Sequence, residues 1–336
     1  MSGGKDSTAC ALLLERHGIA FERIFFDPGW EHPALYKYIE ETLEPRFGKV
    51  TRLTSKKYPG GMVDMVRQKG VFPSGKMRFC TDELKLKPAK AYFKTFDEPI
   101  INVVGVRREE SSARSRALRW EDDAGLDVEV YRPLIEHSFD DIIRLHQDAG
   151  IAPNPLYLRG AERVGCFPCI YARKSEVKKV GELWPGRIDE IEALEAELTA
   201  ALRGDAEKAE AIRERAIERV CWLRALKPLG VSWGQFKAHK RGKEALAEDL
   251  VLAYASEVDD CKASDKDVQA EVDRMSKRTF FHGRTDDGIR TVVDWSTTSR
   301  GGRQYMLFDE TARDGCTRWG MCESPLADTE LVKITG

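Results

Sequence analysis

The stretch Ser2-Gly3-Gly4-Lys5-Asp6-Ser7, which precedes the helix-like run from Thr8 to Arg16, is typical of a turn that binds phosphate. Adjacent glycines let backbone N–H groups approach an anion, and the following helix directs its positive N-terminal end to the same place. Lys5 adds a mobile cation, and the two serines add hydroxyl donors. The stretch lacks the G-x-x-x-x-G-K-[ST] pattern, which excludes an ordinary Walker A loop. The alternative interpretation is a glycine turn that only caps a helix, with Asp6 or Ser7 at the N-cap.

The composition is that of a globular chain with a substantial core. With 336 residues, of which 42% are hydrophobic, the chain is long enough for one large domain or two smaller ones. A formal net charge of −2 gives no overall reason to expect nucleic-acid or membrane binding, and the basic segment 237–243 is more often a solvated face. No apolar run approaches a membrane span, and the N-terminus lacks a signal-peptide pattern. We therefore predict a cytoplasmic protein without a membrane partner.

Strand and helix patterns alternate through the first part of the chain. Ala20 to Phe26, Val50 to Leu53 and Ile100 to Val104 are predicted strands, and Ala34 to Leu43 is a predicted helix. The run IINVV is typical of a strand buried on both faces. The predicted fold class is therefore α/β, a parallel sheet with helices on both faces, whose ligands bind at the carboxyl ends of the strands.

The beginning of the sequence departs from this scheme. A phosphate-binding turn of this kind is expected to follow a buried strand, but only Met1 precedes Ser2. We expect that the true start lies upstream, because a sheet without its central strand leaves backbone groups unpaired.

The composition changes near residue 176. From Pro185 to about Leu252, Ala, Glu, Arg and Leu dominate with helical spacing, and Gly204-Asp205 is predicted to separate two antiparallel helices. Farther on, the run TVVDW resembles a strand. We predict three parts: a nucleotide-binding domain over 1–175, an inserted helical subdomain over 176–260, and a segment over 261–336 that returns to the first domain.

Cysteines are the most informative side chains outside the turn. The eight are Cys10, Cys80, Cys166, Cys169, Cys221, Cys261, Cys316 and Cys322. In a reducing compartment, metal binding is a better explanation for some of them than disulfides. The C-x-x-C of Cys166 and Cys169 fits a redox pair, half of a zinc site or part of an iron–sulfur site. Cys80, Cys316 and Cys322 are the candidate partners, whereas the other three are interpreted as unliganded.

Two segments concentrate cations. Arg78 to Pro88, RFCTDELKLKP, combines basic residues with Cys80 and suits a phosphate or sulfate, although a solvated basic helix is the alternative. Gly105 to Arg114, GVRREESSAR, follows a predicted strand at its carboxyl end, where arginines can grip an oxyanion. The alternative there is that Glu109 and Glu110 pair with the arginines.

Histidines contribute little to the predicted site. His32 follows the second strand, where a single histidine is more often an orienting group than a base, and its neighbour Glu31 is a candidate polar lining. The other five histidines show no metal-ligand spacing.

Together these motifs resemble a known family. SGGKDS resembles the pyrophosphate-binding loop of the PP-loop superfamily. RFCTDELKLKP, GVRREESSARS, RPLIEHSFDDI and NPLYLRGAERVGCFPCIYAR follow in the order of the phosphoadenosine-phosphosulfate (PAPS) reductase family. The resemblance covers roughly residues 1–175 and implies a PP-loop fold. By position it assigns nucleotide contact to Ser2, Gly3, Gly4, Lys5, Asp6, Ser7, Asp27, Gly105, Arg107, Arg108 and Arg114. Lys5, Asp6 and Arg107 are the predicted catalytic residues.

The C-terminal region departs from the family pattern. Thiol-dependent sulfonucleotide reductases carry a Glu-Cys-Gly-x-His element, but this tail reads GCTRWGMCESP, and the adjacent Cys-Cys of adenylyl-sulfate reductases is also absent. The remaining cysteines are similar to a divergent branch found in phage and DNA-phosphorothioation proteins. That similarity implies ATP with Mg²⁺ and a [4Fe–4S] cluster on Cys80, Cys166, Cys169 and either Cys316 or Cys322. Zinc on the same thiolates is the alternative.

The leading functional prediction is an ATP pyrophosphatase that adenylates a substrate and takes part in sulfur transfer. The first alternative is a sulfonucleotide reductase with Cys316 or Cys322 as nucleophile. The second is a non-catalytic accessory protein that binds nucleotide or nucleic acid. Predicted partners are the nucleotide and a sulfur acceptor or sulfonucleotide, with nucleic acid reached through partner proteins and a homodimer as the candidate assembly.

Overall fold

The glycine turn that is predicted to bind phosphate leads directly into the first helix. The computed structural model describes residues 1–112, 114–260, 265–281 and 287–298. Helix α1 covers Lys5–Arg16, and Gly4 is its N-cap, with a β-region backbone and no side-chain cap. Asp6 and Ser7 therefore lie inside the first turn of the helix, and neither is the N-cap that the simple capping interpretation requires.

The first half of the chain alternates short strands with helices, as predicted. In chain order the elements are β1 (Ile24–Phe26), α2 (Pro33–Tyr38), α3 (Glu44–Phe47), β2 (Thr51–Leu53), α4 (Gly61–Lys69), α5 (Phe79–Thr81), α6 (Lys87–Phe93), β3 (Ile101–Val103), β4 (Trp120–Asp123), β5 (Val128–Tyr131), α7 (Phe139–Asp148), α8 (Pro155–Leu158) and α9 (Lys174–Leu183). Single π-helical turns, Ile39–Leu43 and Asp82–Leu86, continue α2 and α5.

The strands form two small sheets. β1 and β2 pair in parallel, with Phe25 opposite Arg52, and β3 pairs in parallel with β5. β4 lies antiparallel on the other side of β5, so the second sheet has the order β3-β5-β4. Both parallel pairs alternate with helices, and the α/β class predicted from the sequence is therefore confirmed.

The prediction that IINVV is buried on both faces was wrong. Ile101 of β3 is 48% exposed, and the other two residues of the strand are only partly buried. The reason is that β3 pairs with β5 on one side and, within the described residues, with no strand on the other. At the beginning of the chain the Met1 nitrogen donates to the carbonyl of Ile24 in β1. The upstream start stays a prediction.

By its internal contacts the chain divides into two units. Of the described residues, the first comprises those within 1–69, 73–188 and 290–298, and the second comprises those within 70–72 and 189–289. In the first unit a core around β1 brings together Phe25, Leu12 of α1 and Leu35 of α2. The three-part division at residues 175 and 260 stays a prediction.

The second unit is helical in its described residues. Its elements are most of α10 (Pro185–Gly204), then α11 (Ala206–Cys221), a π-helical turn (Trp222–Leu226), α12 (Trp233–Lys240), α13 (Glu248–Asp260) and α14 (Lys266–Ser276). Asp205 caps α11, so the predicted break at Gly204-Asp205 is present. However, α11 packs mainly on α14, where Ala216 and Val220 contact Val268.

The strand predicted at TVVDW was wrong. Those residues lie in helix α15 (Ile289–Thr297). Ile289, Val292 and Ser296 are all buried, at the i, i+3, i+7 spacing of one helix face. The β-branched residues of TVVDW by themselves favour a strand. The helical spacing becomes visible only when Ile289 and Ser296, which lie outside the run, are included.

Candidate active site

Backbone geometry shapes the turn before α1. Gly3 has φ +70°, and a Cβ there would lie 3.2 Å from the Leu35 side chain. Both the backbone conformation and the lack of space therefore favour glycine at this position. The Ser7 hydroxyl donates to the Gly4 carbonyl at 2.9 Å, and the Ser2 hydroxyl donates to Ser7 at 3.0 Å. The two serines therefore close the turn internally at the N-terminal end of α1, where helix amides favour an anion.

Three buried side chains from a later part of the chain hold this turn in place. Asn154 donates from Nδ2 to the Gly3 carbonyl at 3.1 Å, while its Oδ1 caps α8. The His146 Nε2 lies 3.0 Å from the Lys5 carbonyl, and the Tyr157 hydroxyl accepts from the Lys5 N–H at 3.2 Å. Sequence reasoning missed all three. Only the Asn-Pro pair before a short helical run gave a signal, that of an N-cap.

Asp6 is the electrostatic centre of the site. Its carboxylate lies 2.5 Å from the Lys5 ammonium and 2.8 Å from Nε of Arg107. Arg107 is 3% exposed and also pairs with Glu109. Although burial opposes the charge on Arg107, the two carboxylates raise its pKa above the ordinary value, so it stays a cation. The structure thus brings together Lys5, Asp6 and Arg107, the three predicted catalytic residues.

Gly105 allows this convergence. A Cβ at Gly105 would lie 2.8 Å from the backbone carbon and oxygen of Asp6, which is closer than real Cβ contacts come. The segment that follows β3 therefore passes directly against the first turn of α1, and Arg107 reaches Asp6 two residues later.

An aromatic wall lies beside these charges. The Lys5 ammonium lies 5.5 Å from the ring centroid of Phe139 and 5.8 Å from that of Tyr157. The Arg107 guanidinium lies 5.9 Å from the Phe139 centroid. Phe139 is the first residue of α7, behind a Ser138 capping box. Its ring faces both cations at distances typical of cation–π contacts.

The other predicted arginines pair elsewhere. Arg108 pairs with Glu136, and Arg114 pairs with Glu110, both as partly exposed ion pairs. Neither is in contact with Asp6 among the described residues. The sequence left open that Glu109 and Glu110 pair with these arginines. The structure shows such pairs for Arg114, with Glu110, and for Arg107, with Glu109.

Asp27 lies at the end of β1, as the sequence suggests. Its carboxylate accepts from the Gly29 N–H at 2.8 Å and from the Tyr36 hydroxyl at 2.7 Å. These bonds shape the turn after β1 and fix the orientation of the carboxylate.

Three predicted metal ligands lie in one neighbourhood. The Cys80 and Cys169 thiols interact electrostatically, and Cys166 interacts with both. Burial, together with the nearby Glu31, raises the pKa of the Cys166 thiol to about 12, and burial also raises that of Cys80. In the part of the chain that the structure describes, no three His, Cys, Asp or Glu side chains already have the arrangement of a metal centre. Cys316 and Cys322 lie outside the described residues.

The C-x-x-C turn is held by neighbouring aromatic and basic residues. The Phe167 N–H donates to the Trp30 carbonyl at 2.8 Å, and the Trp30 indole donates to the Pro168 carbonyl at 3.1 Å. The Cys169 sulfur accepts from the Arg163 guanidinium at 3.6 Å and from the Tyr171 N–H at 3.5 Å. Donors of this kind orient a sulfur that ligates a metal.

Glu31 and His32 have distinct roles. Glu31 is 9% exposed, pairs through its backbone with Cys166, and has a pKa raised to about 7 mainly by burial. His32 is 3% exposed, and its Nδ1 accepts from the Ala34 N–H at 3.0 Å, which caps α2. Burial lowers the pKa of His32 to about 4, so the ring is neutral at pH 7.

The remaining cysteines have other surroundings. Cys10 lies in a hydrophobic cluster of the first unit with Leu134 and Ile142, and Cys221 is buried in the second unit. Cys261 lies outside the described residues. Within the described residues, no helix is both long and apolar enough to cross a membrane.

Known proteins match parts of this chain. Residues 1–172 match the family described as "Phosphoadenosine phosphosulfate reductase domain". An uncharacterized 37.8 kDa protein of Escherichia phage 186 is 32% identical over 253 residues, which cover 60% of this chain and 75% of the phage protein. An uncharacterized protein of Methanocaldococcus jannaschii is 28% identical over 188 residues, 55% of this chain and 38% of that protein.

Proteins with an assigned activity match over shorter stretches. An adenosine 5'-phosphosulfate reductase of Rhizobium tropici is 32% identical over 106 residues, 31% of this chain and 57% of that enzyme. A crystal structure of PAPS reductase from Candida auris in a phosphate complex aligns with a TM-score of 0.41 and 14% identity, covering 50% of this chain and 79% of that one.

The family match covers half of the chain and contains the turn, Gly105, Arg107 and the C-x-x-C. The chain therefore belongs to the phosphoadenosine phosphosulfate reductase family, as a divergent member.

Proposed function

We propose that this chain binds ATP with Mg²⁺ at the turn before α1 and uses it to adenylate a substrate, with release of pyrophosphate, in a sulfur-transfer reaction. The observation that carries the proposal is the convergence of Lys5 and Arg107 on Asp6 at the N-terminus of α1. The backbone N–H groups of the helix and two cations therefore lie together at the N-terminus of α1. Groups of this kind stabilise the negative charge of a reacting phosphate.

The residues supply positioning and charge. A substrate oxygen attacks the α-phosphorus of ATP, the bond from that phosphorus to the bridging oxygen breaks, and pyrophosphate leaves with its charge stabilised by Lys5 and the helix amides. Attack by a sulfide-class nucleophile on the activated substrate atom then expels AMP. In this reaction Arg107, which Asp6 and Glu109 hold in place, stabilises the negative charge on the α-phosphate of the adenylyl group that is transferred. Mg²⁺ would neutralise phosphate charge, and Asp6 is the nearby carboxylate able to bind it.

The cysteine neighbourhood supports a Cys-ligated group. Cys80, Cys166 and Cys169 interact with one another, and N–H donors surround the Cys169 sulfur. These residues fit a [4Fe–4S] cluster or zinc in donor chemistry, with the fourth thiol proposed to be Cys316 or Cys322. When bound, an iron–sulfur cluster would supply iron that can carry sulfur. Zinc would make the site structural.

A sulfonucleotide reductase is the second candidate. The short matches to proteins named adenosine 5'-phosphosulfate reductase favour it. Under this proposal Cys316 or Cys322 attacks the sulfonyl sulfur and expels the nucleotide, which leaves a thiosulfonate on the cysteine. Mass spectrometry of protein incubated with the sulfonucleotide would detect that adduct.

Calorimetry with anaerobically purified protein tests the choice. We expect ATP with Mg²⁺ to bind more tightly than phosphoadenosine phosphosulfate. Lys5→Ala should abolish ATP binding and pyrophosphate release. Lys37→Ala is the matched control, because Lys37 makes only a partly exposed pair with Glu41 at 3.9 Å. Preference for the sulfonucleotide would replace the ATP proposal with the reductase, and binding of neither would refute both.

A further inference from the structure

The two residues between the cysteines of the C-x-x-C turn carry three backbone hydrogen-bonding groups, because the proline has no N–H. The Phe167 N–H donates to the Trp30 carbonyl at 2.8 Å, and the Pro168 carbonyl accepts from the Trp30 indole at 3.1 Å. The Phe167 carbonyl accepts from Nε of Arg187 at 2.8 Å. Each of the three groups is therefore bonded to Trp30 or Arg187, and both of these lie outside the turn.

The two partners of the turn also hold each other. Trp30 is 2% exposed, and the guanidinium carbon of Arg187 lies 3.7 Å from the centroid of its ring, a close cation–π contact. Trp30 lies in the connection between β1 and α2, and Arg187 is the third residue of α10. Loss of either side chain therefore removes one bond to the C-x-x-C turn and also weakens the support of the other side chain.

The side chain of Phe167 is held as well. Its ring centroid lies 4.7 Å from that of His32 and 5.0 Å from that of Trp184, both in edge-to-face contacts. His32 and Trp184 contact each other in the same way at 4.8 Å, so the three rings pack together. Cys166, just before them, pairs through its backbone with Glu31. None of these contacts uses a sulfur atom, so they leave the thiols available to ligate a metal.

We infer that Trp30 and Arg187 are positioning residues that hold the C-x-x-C turn in the conformation in which Cys166 and Cys169 ligate their metal group. The inference rests on the proposed Cys-ligated group and is independent of ATP binding. Because the backbone of the turn is already ordered, binding of the group does not have to order it. Partners that orient metal ligands in this way contribute strongly to metal affinity although they do not touch the metal.

Trp30→Phe tests the inference, because it removes the indole N–H and keeps an aromatic ring. Anaerobically purified protein is incubated with the chelator o-phenanthroline, and the iron and zinc that remain bound are measured over time. We expect Trp30→Phe to lose its metal about tenfold faster than the unaltered protein, the usual size of an effect of this kind. Arg187→Met keeps an unbranched side chain without the donor and should have a similar effect.

Each variant has a matched control. Trp222→Phe also removes a buried indole bond of 3.1 Å, from Trp222 to the Val231 carbonyl in the second unit. Arg159→Met removes a cation that lies 5.8 Å from the Trp184 ring and has no described side-chain bond to the C-x-x-C turn. Both controls should retain metal as the unaltered protein does. If each control loses metal as fast as its matched variant, the two residues have only a general structural role and the inference is overturned.

Hydrogen exchange of the unaltered protein covers the case in which the variants do not fold. The Phe167 N–H should exchange slowly both with the metal bound and after its removal by o-phenanthroline. Fast exchange at Phe167 after removal would show that the metal orders the turn, which overturns the inference and leaves the proposed function intact. If the unaltered protein binds neither iron nor zinc, the Cys-ligated group and the inference both fail, whereas ATP binding is decided separately by calorimetry.

Discussion

At the scale of single residues, the candidate site depends on charge balance. Lys5 and Arg107 are buried cations, and the carboxylates of Asp6 and Glu109 match them one for one. Burying a charge without a partner is expensive, so these four groups depend on one another for stability as well as for function. A polyphosphate bound as proposed would compete with Asp6 for the same two cations.

Asp6→Ala should therefore destabilise the fold. It leaves Arg107, at 3% exposure, with Glu109 as its remaining described carboxylate partner. Because one partner remains, we expect the lower end of the usual cost, about 3 kcal/mol in the free energy of unfolding. Urea denaturation measures the change. Adding Arg107→Met should recover part of the loss; a double variant less stable than Asp6→Ala would contradict the pairing.

Gly105→Ala should disturb the turn through backbone contact. The new Cβ would meet the Asp6 backbone at 2.8 Å, so we expect a loss of about 1–3 kcal/mol and weaker ATP binding. Gly186→Ala is the control, because nothing lies within 4 Å of a Cβ there. It should be neutral or slightly stabilising. Equal effects in the two variants, measured by urea denaturation and calorimetry, would show that the close approach does not matter.

At the scale of elements, helix ends carry much of the site. The N-terminus of α1 receives the turn, α7 begins with Phe139 behind a capping box, and α8 begins behind Asn154. Helix α2 likewise begins directly after its N-cap residue, His32. Each cap fixes where a helix starts and so fixes the side chains of its first turn.

The His32 cap predicts a dependence of stability on acid. His32 has a folded pKa of about 4 against an ordinary 6.5, so the unfolded chain takes up the proton first as the pH falls. Stability is complete above pH 6.5 and is lost toward pH 4, by about 3 kcal/mol in total. Urea denaturation at pH 7 and pH 5 measures most of this loss.

His32→Asn isolates that contribution. Asparagine keeps an N-cap acceptor but does not titrate, so the variant should lose less stability between pH 7 and pH 5 than the unaltered protein. Glu31, whose raised pKa gives a slope of the opposite sign, is present in both proteins and cancels in the comparison. The same slope in both proteins would show that His32 does not protonate on unfolding.

At the scale of the whole molecule, the cysteine neighbourhood joins distant parts of the chain. Cys80 lies in the short helix α5, whereas Cys166 and Cys169 come much later, after α8. A Cys-ligated group there would link these segments and contribute directly to folding free energy.

Metal analysis of cysteine variants tests this arrangement. Cys80→Ser, Cys166→Ser and Cys169→Ser should each lower bound metal sharply in anaerobically purified protein. Cys10→Ser and Cys221→Ser should leave it unchanged, because Cys10 lies in a hydrophobic cluster with Leu134 and Ile142 and Cys221 is buried in the second unit. Iron with acid-labile sulfide would indicate an iron–sulfur cluster, and zinc alone the structural alternative. Unchanged metal in all three site variants would refute the ligand assignment.

The sequence by itself determined the local features of this protein. Two glycines before an apolar helix predict a turn that binds an anion, β-branched runs between helices indicate the α/β class, and Gly204-Asp205 marks a helix break. These signals reside in neighbouring residues, which is why they can be read in order along the chain. The prediction at TVVDW was wrong for the same reason, because Ile289 and Ser296, which show the helical spacing, lie outside that run.

Only the tertiary structure decided which distant groups meet. It placed Arg107 on Asp6, paired Arg108 with Glu136 and Arg114 with Glu110, and brought the hydroxyl of Tyr157 to the Lys5 N–H. The three arginines lie in one segment of the sequence, and they differ in the carboxylates that the folded chain places beside them. A buried polar group takes the partner that packing supplies, and that choice is made across the fold rather than along the chain.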